Sequence, residues 1–271
     1  MKNLTAFALI FSLTGIGLVS AQTAADHPGM TAFRAQDYSG AFRIWAPMAE
    51  QGDANAQANL GILYLRGLGV DKDTERAIQL FQAAAAKGNG QAEFQLGLMF
   101  AKGIGVQQDY GEAMRWYEMA VERGDGTAGY GIGRLFEEGY GVPQNDKAAA
   151  MWYRRAAEKG VAPAQFNLSQ MIAKGKGGEK KDDAASFEWC KKAADQGFGP
   201  AEAQLAGMYE RGEGVTANPE QALMWSTLAA KQQEKFAERQ RAALIAKLSP
   251  EVVARAQKSA SVWKPVLSAS K

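Results

Sequence analysis

The chain has 271 residues, 46% hydrophobic and 22% charged, with a formal net charge of +2. That balance is globular: it excludes a disordered chain and a membrane-embedded one, and it gives no broad electrostatic affinity for nucleic acid. One histidine, His27, and one cysteine, Cys190, leave almost no room for histidine-based acid–base or nucleophile systems or the usual zinc sites, and none for an internal disulfide.

The first segment stands apart. Lys2 precedes an apolar run from Leu4 to Val19, closed by Val19-Ser20-Ala21 before Gln22. This small-residue ending predicts a cleavable secretory signal over residues 1–21 and a periplasmic or secreted mature product without stable membrane insertion. The alternative of a membrane anchor is disfavoured, because the apolar run is short for a bilayer and is interrupted by Thr5, Ser12, Thr14, Gly15 and Gly17. No cysteine follows the cleavage point, so lipid attachment there is not indicated.

Residues 22–53 form an N-terminal segment with a half repeat, in which Trp45 and Gly52 fit columns that recur downstream. Residues 54–232 carry five repeats. Leu60-Gly61-Ile62-Leu63-Tyr64-Leu65-Arg66-Gly67-Leu68-Gly69-Val70 returns as Leu96 to Val106, Ile132 to Val142 and Leu205 to Val215, with a degenerate copy over Leu168–Gly178. The aromatic position falls at Tyr64, Phe100, Phe136, Ile172 and Tyr209, a period of 36 with one insertion in the fourth unit.

Each unit predicts two helices. In the first, Ala56, Leu60, Leu63 and Tyr64 lie on one helical face that must be buried. A glycine inside a helix costs about 1 kcal/mol against alanine, so the recurrence of Gly61, Gly97 and Gly133 predicts a compensating close approach. Paired glycines such as Gly67 and Gly69 end this helix. Asp73, Asp109, Asn145, Asp182 and Asn218 then cap the second helix, with Glu112 and Gln221 at the capping-box position. The second helix sets Leu80, Trp116, Trp152, Trp189 and Trp225 in one column with alanines behind them, and ends at Gly88, Gly124, Gly160 and Gly197. At this spacing the tryptophans read as core and not as a sugar-stacking surface. Alternating strand patterns are absent, so the fold class is all-α, an α/α superhelical repeat solenoid.

These residues resemble the Sel-1-like repeat family, a branch of the tetratricopeptide-like α/α repeats. The pattern A-x-x-x-L-G-x-x-Y-x-x-G-x-G-V-x-x-D-x-x-x-A-x-x-W-x-x-x-A-A-x-x-G is fullest from Ala92 to Gly124, and the resemblance covers about residues 32–232. The fourth unit departs from it through Ser169, Ile172 and the Gly177-Gly178 pair. Residues 233–271 lose the motif; Phe236, Leu244 and Leu248, then Ser249-Pro250 followed by Val252, Val253 and Ala256, predict a capping helix pair and a tail. Residues 231–271 hold nine Lys and Arg against three Glu, a solvated face or a contact for an anionic partner.

Other chemistry is thin. Glu137-Glu138 and Asp182-Asp183 are neighbours in sequence, so each pair points to different sides of a helix. The glycine- and lysine-rich run over 174–181 lacks the order of a phosphate loop and follows no strand. The reading is therefore a non-enzyme without cofactor, metal or nucleic-acid partner, whose function lies in its surface and whose partner is another protein.

The resemblance implies that the first helix of each unit lines a concave binding face. The residues beside the buried stripe are Asn55, Asn59, Ile62 and Arg66, then Gln91, Gln95, Leu98 and Lys102, then Thr127, Gly131, Arg134 and Glu138, then Asn167, Gln170 and Lys174, then Gln204 and Arg211. A mixed polar ladder of this kind suits an extended protein segment. In exported bacterial members the resemblance implies a regulator docking on a membrane signalling protein, or an adaptor in envelope assembly or host contact. The competing class is enzymatic: cysteine-rich relatives have been ascribed β-lactam binding or hydrolysis, and their paired cysteines are missing here.

Overall fold

The computed structural model describes residues 28–266 apart from Gln233. The signal segment 1–21 and His27 lie outside the described residues. Fourteen α-helices and no strand occur among the described residues. After α1 (Pro28–Arg34) and α2 (Tyr38–Glu50), the first helices of the five repeats are α3 (Ala54–Arg66), α5 (Gly90–Lys102), α7 (Gly126–Glu138), α9 (Ala162–Lys174) and α11 (Gly199–Arg211). Their second helices are α4 (Thr74–Ala85), α6 (Tyr110–Glu122), α8 (Asp146–Glu158), α10 (Asp183–Asp195) and α12 (Pro219–Lys231). Then come α13 (Lys235–Lys247) and α14 (Pro250–Val262).

All five expected caps of the second helices form. The side chains of Asp73, Asp109, Asn145, Asp182 and Asn218 accept backbone N–H bonds at 2.8 to 3.1 Å from the first turns they precede. Glu112 turns outward to Arg115 at 2.8 Å. The first helices are capped as well, by Asp53, Asn89 and Asp125 in the first three repeats. Val161 and Phe198 hold that place in the last two and offer no side-chain acceptor. There Pro163 and Pro200 in the first turn lack the N–H that a cap would have to satisfy.

The paired glycines take the left-handed conformation, and the fourth repeat keeps them. Gly175 (φ 62°) and Gly177 (φ 69°) match Gly139 (71°) and Gly141 (69°), and Gly178 is the extra residue. The turn therefore survives, although the sequence reads Gly177-Gly178 as a break. Its second glycine sits against the preceding repeat: a Cβ at Gly177 would stand 2.6 Å from the Asp146 carbonyl oxygen, and one at Gly141 2.5 Å from the Tyr110 Cβ. Around these contacts Tyr110 stacks on Tyr140 (centroids 5.0 Å apart), and Lys176 meets Asp146 at 2.9 Å.

The chain divides into two compact units, one ending at Leu96 and one beginning at Gly97, so the boundary falls inside α5. In the first, Trp45, Leu60, Leu63 and Leu80 join Met30 and the alanines of α2 and α3. In the second, a core cluster runs from Phe187 through Leu205, Leu223 and Trp225 to Leu244 and Ala260, so α13 and α14 close over α12. α13 and α14 are joined by Leu248 and Ser249, without a glycine turn, and each packs on α12.

The deepest column is one residue beyond the tryptophans. Phe81, Tyr117 and Tyr153 are essentially buried, at 0%, 3% and 0% exposure. Trp225 is buried, but Trp116, Trp152 and Trp189 are half-buried, with Arg155 over the Trp152 ring and Lys192 over that of Trp189. Trp45 belongs with the deeper column, because it precedes Gly52 by the interval that separates Phe81 from Gly88. The close approach that the helix glycines predict is made by these rings: a Cβ at Gly61, Gly97 or Gly133 would stand 2.6 to 2.7 Å from Phe81, Tyr117 or Tyr153.

Candidate functional site

The first helices are enclosed more widely than their apolar stripe alone requires. Asn59, Ile62, Gln95 and Arg134, expected beside the stripe as a ladder, are 8%, 5%, 9% and 8% exposed. Gln91, Leu98, Lys102, Thr127, Gly131, Asn167, Gln170 and Gln204 are half-buried, while Asn55, Arg66, Glu138, Lys174 and Arg211 are exposed. The surface open to a partner is therefore a mixture of partly sunken amides and rim charges. In the first unit Asn55 accepts from the Asn89 amide at 2.9 Å, and burial pushes the pKa of Arg66 down.

In the second unit several of these side chains converge. Arg134 reaches Glu138 at 3.3 Å, and the rings of Tyr130 and Tyr153 lie 5.7 Å apart. The Tyr153 hydroxyl donates to Glu137 at 2.6 Å, and the Asn167 side chain also bonds to it. Burial together with the Glu137 charge pushes the Tyr153 pKa far up, so this hydroxyl is a fixed donor. Burial, then the charge of Arg134, lowers the pKa of Lys102. Glu137 thus accepts from a neighbouring tyrosine.

Further along the face, Gln204 approaches the Ser169 hydroxyl at 3.5 Å. Arg211 donates two bonds to Glu213, at 2.6 and 2.8 Å. Beside them a cavity of about 290 Å³ opens among α9, α10, α11 and α13. Its lining includes Ala173, Ala203, Gly207 and Met208, with Arg211 and Phe236 at its edges. Asp182 caps α10, and Asp183 faces Lys181 at 3.9 Å.

The sequence reads Cys190, in mid-helix beside Trp189, as a small buried hydrophobe, and it singles out neither Glu93 nor Glu202. Cys190 is fully buried, and burial pushes its thiol up to about 12, so it packs and does not react. Glu202 is fully buried too, and burial raises its carboxyl to about 8 despite the Gln232 amide donating to it at 2.9 Å. The signal that could have exposed it is the column it shares with Gln57, Glu93 and Gln165. Gln57 and Gln165 each donate to a carbonyl of the preceding helix, Ala49 and Ala157, at 3.1 Å.

Among the described residues, no group of three or more His, Cys, Asp and Glu side chains could hold a metal ion, and no helix is long and apolar enough to cross a membrane.

The family description "Sel1 repeat" matches residues 54–89, 90–125, 128–161, 162–198 and 199–234. A crystal structure of a Sel1 repeat protein from Oxalobacter formigenes is similar at 32% identity and a TM-score of 0.69, covering 86% of this chain and 94% of that one. A protective antigen present in uropathogenic Escherichia coli strains, displaying an SLR fold, is similar at 27% identity with a TM-score of 0.53. That alignment covers 87% of this chain and 59% of the antigen. No curated protein matches the chain.

Proposed function

Since the chain belongs to the Sel1 repeat family, whose repeats act as protein–protein interaction scaffolds and not as catalysts, we propose that its second unit holds an extended segment of another protein along the first-helix face of α7, α9 and α11. The carrying observation is the sequence of half-buried amides on that face, Asn167, Gln170 and Gln204, bordered by the exposed cations Lys174 and Arg211. Amides held partly sunken on rigid helices can donate to and accept from a peptide backbone at small entropic cost.

The segment over residues 1–21 supports a periplasmic or secreted location, and with it two roles: docking on a membrane signalling protein, or envelope assembly. A photo-crosslinking amino acid at Gln170 or Gln204 in intact cells, followed by mass spectrometry and titration with the purified partner, tests the face. The expected result is a partner whose affinity falls at least tenfold when Asn167, Gln170 and Lys174 are all changed to alanine. Crosslinks obtained only from the second helices, or unchanged affinity in the triple variant, would refute it.

A further inference from the structure

The fourth and fifth repeats build the same small network with one chemical difference. In the fourth, Gln165 donates to the Ala157 carbonyl at 3.1 Å and accepts from Gln196 at 2.8 Å, so both ends of its amide are used. In the fifth, Gln232 takes the place of Gln196 and donates to one carboxyl oxygen of Glu202 at 2.9 Å. The other oxygen is buried without a hydrogen-bond donor to satisfy it. Its counterpart in Gln165 is the amide nitrogen, a donor, and the carbonyl eight residues back is here that of Ala194. A carboxylate cannot donate to a carbonyl, whereas a protonated carboxyl can. The sister repeat therefore gives Glu202 the role of a neutral O–H donor, and burial, which raises its pKa to about 8, acts in the direction this role requires.

The network is tied to the residues that follow α14. Gln232 also donates to the Gly197 carbonyl at 3.1 Å, and a Cβ at Gly197 would meet Pro265 at 3.4 Å and Trp263 at 3.8 Å. Residues 263–266 thus lie over the α10–α11 turn as a strap. The Val266 N–H donates to the Asp195 carbonyl at 2.7 Å, and the Trp263 ring stands edge-on to Trp225 with centroids 5.6 Å apart. Lys231 supports the end of α14 by donating to the Ala260 carbonyl at 3.3 Å. The charges that act on Glu202 are those of Lys231 from α12 and Glu234 ahead of α13. On α10, Lys191 is held by Asp195 at 2.6 Å and Lys192 lies over the Trp189 ring, and on the strap Lys264 is exposed. We infer that Glu202 is a proton-operated latch: protonated, it completes the network at Gly197 and the strap stays closed; ionised, it draws Lys231 from the Ala260 carbonyl and the strap opens. A buried carboxylate with a single hydrogen bond needs a cation, and Lys231 can supply one only by leaving α14. Repulsion between the ionised Glu202 and Glu234 loosens the Gln232 turn in the same step.

The test is fluorine NMR of the full chain labelled with 5-fluorotryptophan, with the Trp263 signal assigned by its absence in Trp263→Phe. In a titration from about pH 6 to about pH 10, the Trp263 signal should move to that of a solvated ring, with a midpoint near pH 8. Glu202→Gln, whose amide can donate at every pH as that of Gln165 does, should keep the closed signal throughout. Helix content by circular dichroism should stay constant across the transition. Should Glu202→Gln fail to fold, carboxyl carbon shifts of the parent replace it: one glutamate should titrate near pH 8, together with the Trp263 signal. A Trp263 signal that does not move, or a transition that persists in folded Glu202→Gln, would overturn the latch. So would a parent in which no glutamate titrates above about pH 7, or a loss of helix at the same midpoint, which would make the event global unfolding.

Discussion

Glu202 offers a test in which the sign and the size of the effect both follow from its surroundings. Its carboxyl is fully buried, takes one hydrogen bond from Gln232 and leaves its other oxygen without a partner. Burial raises its pKa to about 8, with Glu234 pushing the same way and Lys231 opposing. An unfolded glutamate titrates near 4.3, so between about pH 4.3 and 8 the folded chain holds a proton that the unfolded chain has released. The stability tied to that proton is fully present below about pH 4.3, is lost as the pH rises, and stops falling above about pH 8. At about 1.4 kcal/mol per pH unit, the span from pH 5 to pH 8 corresponds to roughly 3 to 4 kcal/mol as an upper limit. Glu202→Gln has no proton to lose, and its amide can donate as Gln165 donates to Ala157. The variant should exceed the parent in stability by about 1 to 3 kcal/mol at pH 7, with the gap wider at pH 8 and nearly closed at pH 5. Urea unfolding of both proteins at pH 5, 7 and 8 reads this directly. A gap that is constant with pH, or a variant less stable than the parent throughout, would show that Glu202 is ionised in the folded chain.

Gly61→Ala should destabilise the first unit by about 1 to 3 kcal/mol through overpacking on Phe81, despite the gain in helix propensity, and Phe81→Leu added to it should recover part of the loss in thermal unfolding. Tyr153→Ala should cost about 3 to 5 kcal/mol and Trp152→Ala clearly less, a ranking that denaturant midpoints can reverse if the tryptophan column is the true core. Cys190 should resist a thiol reagent at neutral pH in the folded chain and react at once in urea; prompt labelling of native protein would contradict its burial.

Much of this architecture was legible because periodicity multiplies each weak signal. One Asp before a helix is a suggestion, but Asp73, Asp109, Asn145, Asp182 and Asn218 at one place in five units fix the start of every second helix. The same columns misled where a conspicuous residue drew attention from its neighbour. Tryptophan is the larger group, yet one 100° step around the helix turns Tyr117 and Tyr153 toward the first helix and leaves Trp116 and Trp152 at the edge. The ladder was half legible for a related reason. A first helix packed by its own partner and by the neighbouring repeats is covered over more of its circumference than an apolar stripe shows, so Asn59, Gln95 and Arg134 sink below the surface. The cavity among α9, α10, α11 and α13 was not legible, because no motif says which side chains of neighbouring repeats border the same space.

At one contact between the two helices of each repeat, the paired side chains change size along the chain. Gly61, Gly97 and Gly133 face Phe81, Tyr117 and Tyr153, so the smallest residue meets a ring. In the fourth repeat Ser169 meets Cys190 and bonds to Ser186 at 3.1 Å, and in the fifth Ala206 and Ser226 occupy those positions, both fully buried. The pair therefore shrinks along the chain, from a glycine against a ring to two small side chains, and in a close-packed interior a smaller pair lets its two helices approach.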